Sequence, residues 1–304
     1  MAPFRRNGRA DGTACQSARL DNDSENRFLE QGPSHRTVAH VTQTSASFFH
    51  SVRRGLIRSP HIPDEVRPAS LADGYVAQCA FAESFLARNG GSLIGYKAAC
   101  TNTHAQELLS IGFPVFGRLF SKLCWRSGQV LAADSFPMLA LEPEFAFVIA
   151  RDVPETGPSA TSWNRDTIVP YVGDMMPAIE LVGHGFEDWG VYDAPSFAAD
   201  NAVHLGWVYG PSNSKWREIE LADCRVELRV DDVVRKVGSG KNVLGHPMNV
   251  VAWLANTLPG HGHRLRAGDR VITGVSTDIY PASPGECIRA DFGILGSVEL
   301  TFSE

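Results

Sequence analysis

The chain has 304 residues, enough to bury one large core or two ordinary ones. A formal net charge of −6 and a pI near 5.9 argue against a nucleic-acid or membrane-surface partner but do not exclude a locally positive site for a small anion. With 43% hydrophobic and 20% charged residues the composition is ordinary for a globular protein, and no apolar run approaches the length of a membrane span.

Residues 1–45 are polar and lack a sustained period, so they are expected to form a disordered extension. The basic start Met1-Ala2-Pro3-Phe4-Arg5-Arg6 has no hydrophobic segment after it and is not a secretory signal; Asp21, Asp23, Glu25 and Glu30 argue against an organellar presequence. Residues 46–92 are expected to form a helical segment packed on the core. It holds a short amphipathic helix at 47–59 and a better one at 71–87, where Tyr75, Cys79, Phe81, Phe85 and Leu86 recur roughly at helical spacing before Gly90-Gly91 ends it. From residue 93 to 304 short apolar runs punctuated by Gly, Pro and Asp predict a β-rich catalytic domain. Strands are expected at 93–98, 139–149, 178–182, 204–209, 224–230, 270–273 and 297–302, with one helix at 247–258 opened by Pro247. Six cysteines are scattered without metal-binding spacing, as expected of reduced thiols in a cytoplasmic protein.

The chemistry concentrates in Glu142-Pro143-Glu144, inside the apolar run 139–149, and in Glu180, inside the equally apolar run 176–182. Side chains two apart on a strand share a face, so Glu142 and Glu144 stand together. Burying unpaired carboxylates is costly, and neighbouring ones repel unless a proton or a cation relieves them. Pairing with Arg or Lys, or the solvent face of an edge strand, would account for a lone pair of this kind. A third glutamate in similar surroundings favours a hard divalent cation such as Mg²⁺ or Mn²⁺.

Lys97 lies in the apolar strand 93–98, either snorkelling to the surface or buried near a metal with a lowered pKa and a proton to shuttle. Gly238-Ser239-Gly240-Lys241 lacks the spacing of a phosphate loop and reads as a turn. His261-Gly262-His263 reads as a solvated turn. Asp200-Asn201 either orients a metal ligand or caps a turn. Ser276-Thr277 follows a strand where a hydroxyl could meet a substrate carboxylate.

Taken in order, Gly95-Tyr96-Lys97, Pro114-Val115-Phe116-Gly117, Glu142-Pro143-Glu144, Ala178-Ile179-Glu180, Asp200-Asn201, Leu244-Gly245-His246-Pro247 and Gly268-Asp269 through Gly274 form a series. It resembles the 2-keto-4-pentenoate hydratase family of the fumarylacetoacetate hydrolase superfamily over roughly residues 70–302. The resemblance implies an α+β fold with a mixed β-roll or barrel-like core and flanking helices. It implies Mg²⁺ or Mn²⁺ on Glu142, Glu144 and Glu180, and Lys97 as the catalytic acid/base or substrate-orienting residue. Ser276, Thr277, His184 and Phe145 are the expected substrate contacts. The implied activity is hydration of 2-hydroxy-2,4-dienoates to 4-hydroxy-2-oxo acids. The alternatives are a 4-oxalocrotonate-type decarboxylation, C–C hydrolysis of an acylpyruvate, or a non-catalytic accessory chain. Implied partners are further copies of the chain or a sister hydratase or decarboxylase subunit. Two positions depart from the family pattern: Val115 replaces a usual acid, and Gly183-His184 replaces a usual Ser-Arg. His184 could supply the missing positive charge only when protonated.

Overall fold

The computed structural model describes residues 38–304. In chain order the helices are α1 (Val38–Arg53), α2 (Leu71–Asn89), α3 (Thr103–Leu109), α4 (Arg165–Ile168), α5 (Ala194–Ala199) and α6 (Pro247–Thr257). The strands are β1 (Leu93–Ala99), β2 (Val115–Phe120), β3 (Cys124–Arg126), β4 (Gln129–Leu131), β5 (Ala140–Ile149), β6 (Val172–Val182), β7 (His204–Tyr209), β8 (Arg225–Val230), β9 (Val233–Ser239), β10 (Arg270–Ile272), β11 (Tyr280–Pro281), β12 (Cys287–Asp291) and β13 (Ser297–Phe302). The expected α+β class is what the chain adopts.

The larger sheet runs β2-β1-β10-β5-β6-β7-β3, with β11 also paired to β5, and it curls into a half-barrel. Its β1–β10 and β3–β7 pairs are parallel, and its other pairs are antiparallel. The smaller sheet runs β4-β13-β12-β8-β9. β8 and β13 alternate buried with partly exposed residues, as strands covered on one face do, whereas β5 and β6 are buried nearly throughout. The reason is that both faces of β5 and β6 are covered. One face meets the main core: Phe145 packs edge-on against Phe292 at 5.0 Å, and Phe147 against Trp216 at 5.3 Å. The other face carries a separate small cluster of Leu119, Ala146, Met176, Ala178, Trp207 and Ile272 inside the curl.

Three local expectations need correction. The first helix begins at Val38 and ends at Arg53 rather than covering 47–59, and Ser45 and Ala46 within it are fully buried. Its start therefore lies inside the stretch assigned to the extension; residues 1–37 of that stretch lie outside the described residues. The long strand at 172–182 begins earlier than expected, and β2, β9 and β12 were not anticipated. The His261–His263 turn is packed rather than solvated: His261 lies 4.3 Å from the Tyr75 ring, and His263 meets the buried Arg118 guanidinium.

Gly95 marks a β-bulge where β1 shifts register against β2, and its φ of 140° is open to glycine. A Cβ there would run into the Arg270 backbone on β10. Gly95→Ala is expected to lower stability by about 1–3 kcal/mol. An unchanged urea-unfolding midpoint would show instead that the bulge relaxes freely.

Candidate active site

The antiparallel register of β5 and β6 sets Glu142 directly opposite Glu180 and Glu144 opposite Ala178, on the face that carries Ala146 and Ile272. Lys97 joins them from β1, since Lys97 pairs with Ile272 and Ile272 with Ala146. The three glutamates offer oxygens within 4.8 Å of one another. Glu144, Glu180 and Lys97 are buried almost completely, and Glu142 is 7% exposed.

Loops at the strand ends complete the electrostatics. Glu144 Oε2 accepts the Gly274 N–H at 2.6 Å, and the left-handed Gly274 (φ 93°) leaves no room for a Cβ against the Thr101 hydroxyl. Glu180 Oε1 accepts from His204 Nδ1 at 2.7 Å, while its Oε2 lies 3.2 Å from Lys97 Nζ. Lys97 Nζ also donates to the Ala202 carbonyl at 3.1 Å. Burial raises the Glu180 carboxyl, but Lys97 and His204 outweigh it and hold the group below its usual range. Glu180 is therefore ionised and can only accept, so His204 Nδ1 carries the proton. Burial lowers His204 further, keeping its ring neutral. Burial pushes Glu142 up to about 7 against the pull of Lys97. Glu144 is raised well above the usual range by burial, then by Glu180 and Glu142. For Lys97 burial favours the neutral amine, yet Glu180, Glu142 and Glu144 together raise its pKa. The lowered lysine pKa expected from the sequence is thus reversed, because the carboxylates outweigh desolvation.

These residues fit a hard divalent cation. Glu144 Oε1 and Glu180 Oε2 are buried and receive no hydrogen bond from the rest of the chain; Glu180 Oε2 has its ion pair to Lys97, and the two carboxyls meet each other. One lysine cannot neutralise three carboxylates, and an all-oxygen donor set suits such a cation.

The remaining expected contacts fare differently. Phe145 points to the opposite face of β5 and belongs to the main core, because the strand period that unites Glu142 with Glu144 excludes the residue between their neighbours. Ser276 is fully buried and donates to the Pro143 carbonyl at 2.7 Å, tying its loop between the two glutamates of β5. Thr277 lines a polar cavity of about 480 Å³ together with Thr101, Asn102, Gln106, Lys241 and Asp278. A narrower pocket of about 20 Å³ lies against Lys97 and Glu142, walled by Val182, Trp189, Phe197 and Ile279. His184 stays behind that wall, edge-on to Trp189 at 4.3 Å. Burial, reinforced by Arg53, lowers its pKa to about 4, so it carries no charge at neutral pH and cannot replace an arginine. Gly274, Ala202 and His204 escaped sequence reasoning. The first two act through the backbone, and the third looks like the first residue of a strand.

Residues 95–303 match the fumarylacetoacetate (FAA) hydrolase C-terminal family, and the chain belongs to it. Among its relatives, a 2-keto-4-pentenoate hydratase from Paraburkholderia phymatum is 32% identical over 223 residues, 72% of this chain and 81% of the relative. The 2-oxo-hept-4-ene-1,7-dioate hydratase of Escherichia coli is 30% identical over 241 residues, 77% of this chain and 87% of the relative. The fold is shared with 4-oxalocrotonate decarboxylase from Pseudomonas putida G7, solved with magnesium and adipate, at a TM-score of 0.79 and 24% identity, covering 91% of this chain and all of that one.

The folded protein holds protons on Glu142 and Glu144 more tightly than the unfolded chain does. Their contribution to stability is present in acid and is lost as pH rises from the ordinary carboxylate range through about 7. The depressed Glu180 acts with the opposite sign, its contribution fading only as pH falls below the ordinary range. His50, His184 and His263, held near 4 by burial, act with the opposite sign, since the cost of keeping them neutral disappears as pH rises from about 4 to the ordinary histidine range. The glutamates are therefore read from the melting temperature in Mg²⁺ minus that in EDTA, which should grow from about pH 5 to about pH 8. An increment that does not change with pH would contradict the proton-loaded cluster.

Proposed function

We propose that the protein is a divalent-metal-dependent lyase that hydrates 2-hydroxy-2,4-dienoates to 4-hydroxy-2-oxo acids. The observation that carries this reading is the buried ammonium of Lys97 in contact with Glu180 of a convergent trio of glutamates, in a chain about 30% identical to hydratases. Glu142, Glu144 and Glu180 would hold Mg²⁺ or Mn²⁺, which supplies Lewis-acid polarisation of a 2-oxo acid's carbonyl oxygen and offsets its carboxylate charge.

The chain's own groups perform the proton transfers. Lys97 starts as an ammonium and delivers a proton to the distal carbon of the dienol, and the neutral amine so formed takes up the proton that leaves the enol hydroxyl. The conjugated enone so formed takes water at its fourth carbon and a proton at its third. With their charge engaged by a cation, the glutamates grip the ammonium less tightly, and Lys97 can release and recover its proton. His204 holds the Glu180 carboxylate in place, and the Ala202 carbonyl fixes Lys97 Nζ. Val182, Phe197, Val203 and Ile279 keep bulk water from the reacting end. The pocket of about 20 Å³ beside Lys97 and Glu142 is walled on one side by Ala105 and Leu109 of α3.

In the decarboxylase alternative, loss of CO₂ would generate the same enolate. Val115, which pairs with Ala99 on the Lys97 face of the sheet at the position where the family commonly has an acid, weakens the hydratase reading and favours the accessory one. An assembly of identical copies in the cytosol accords with the family and with the free thiols at Cys100, Cys124, Cys224 and Cys287.

Turnover of a small panel of 2-hydroxydienoates and oxo diacids with Mg²⁺, followed by loss of dienol absorbance and by CO₂ release, tests the reading. Hydration of 2-hydroxypenta-2,4-dienoate should be slow, and Val115→Asp should raise it. Fast hydration by the unaltered protein would show that another residue supplies the proton. Lys97→Ala should lower kcat by ~10²–10⁴-fold with little effect on KM, and Glu144→Gln should abolish both activity and divalent-ion dependence. If Lys97→Ala changes nothing on any 2-oxo acid, the accessory role replaces the catalytic one.

A further inference from the structure

Residues 200–204, between α5 and β7, supply two of the contacts that order the site, and they are strained. Asn201, Ala202 and Val203 have φ values of 49°, 47° and 55°, three successive non-glycine residues in the left-handed region. Such conformations cost about 1–3 kcal/mol each and persist only where surrounding contacts over-determine them. The turn delivers the Ala202 carbonyl to Lys97 Nζ and the His204 ring to Glu180.

The over-determining contacts come chiefly from α1. Arg53 sends Nη1 to the His204 carbonyl at 2.5 Å and Nη2 to the Asp200 carbonyl, so one guanidinium spans both ends of the strained turn. Its Nε donates to Asp200 Oδ1 at 2.6 Å, and Tyr192 OH donates to Asp200 Oδ2 at 2.5 Å. The Phe81 ring lies 5.0 Å from the guanidinium carbon and backs it. From the other side, the Asn201 side chain accepts the Arg118 N–H at 2.7 Å and donates to the Arg118 carbonyl at 3.0 Å, pinning the turn to β2. Asp200 is buried and the Arg53 side chain is only 11% exposed, so this is an interior fastening rather than a surface ion pair. Only a planar fork can meet two carbonyls and a carboxylate at once.

We propose that Arg53, acting with Asp200 and Tyr192, is a positioning residue for Lys97 and Glu180: it holds the turn 200–204 in the left-handed form that presents the Ala202 carbonyl and the His204 ring. The inference rests on the assignment of Glu180 as a cation ligand and of Lys97 as the proton donor. It makes the helix at 38–53 part of the active site.

The test compares the full-length protein with Arg53→Met, Arg53→Lys and Tyr192→Phe, measuring Mn²⁺ affinity by calorimetry without substrate, then kcat, KM and melting temperature. Arg53→Met should weaken Mn²⁺ binding by ~10–100-fold, the range for residues that orient metal ligands, and lower kcat with little change in KM. Arg53→Lys keeps the charge beside Asp200 but cannot span the two carbonyls, so it should recover melting temperature more than affinity. A folded Arg53→Met or Arg53→Lys that binds Mn²⁺ as tightly as the parent overturns the proposal, whatever its melting temperature. Should neither fold, Tyr192→Phe decides, because it removes one hydrogen bond only: a few-fold weaker affinity supports the proposal and an unchanged one overturns it. A parent that binds Mn²⁺ but turns over no 2-oxo acid refutes the reaction and leaves the affinities to judge the fastening. A parent that binds no Mn²⁺ overturns both.

Discussion

Glu142 and Glu180 stand opposite each other across an antiparallel pair of strands, and Glu144 lies one pleat further along the same buried face. Like charges so placed repel, and removal from water makes each ionisation harder. Neighbouring parts of the chain answer this in turn. Lys97 contributes the opposing charge, Gly274 a backbone donor, and His204 a neutral donor that keeps one carboxylate ionised. The remaining imbalance sits as protons on Glu142 and Glu144 and as two buried oxygens that receive no hydrogen bond from the rest of the chain. A divalent cation held by the three glutamates would offset that imbalance.

The architecture makes this arrangement stable by giving one sheet two different interiors. The outward face of β5 locks into the main core through Phe145 and Phe147, which fixes the strand's roll and so the direction of its carboxylates. Inside the curl, the small cluster around Met176 and Trp207 fills the space on the carboxylate face and keeps the ionic groups together. The site is thereby built on rigid strands, while its donors come from loops at their ends.

The two departures from the family pattern acquire distinct meanings in the structure. Val115 pairs with Ala99 and so shares the Lys97 face of the sheet, but it offers no group that could carry a proton there. His184 is set behind Trp189 in an aromatic cluster and its pKa is lowered to about 4, so it does not supply the positive charge that the family pattern would place there.

Strand periodicity by itself determined that Glu142 and Glu144 share a face, and their apolar surroundings determined that they are buried. The same periodicity, applied to Phe145, already excluded it from that face. Motif order determined the family, and through it the α+β half-barrel and the place of Glu180 and Lys97. What only the tertiary structure decided depends on contacts between residues far apart in the chain. Asn201 tolerates the left-handed region, but Ala202 and the β-branched Val203 give no local signal for it, and no glycine marks the turn. Hydrogen bonds from Arg53 and Arg118 impose it. The direction of the Lys97 pKa follows from how many carboxylates surround it rather than from its burial alone, and the charge of His184 from the rings packed around it. Local sequence sets which groups can ionise; the long-range packing of α1, α5 and the sheet sets which of them do.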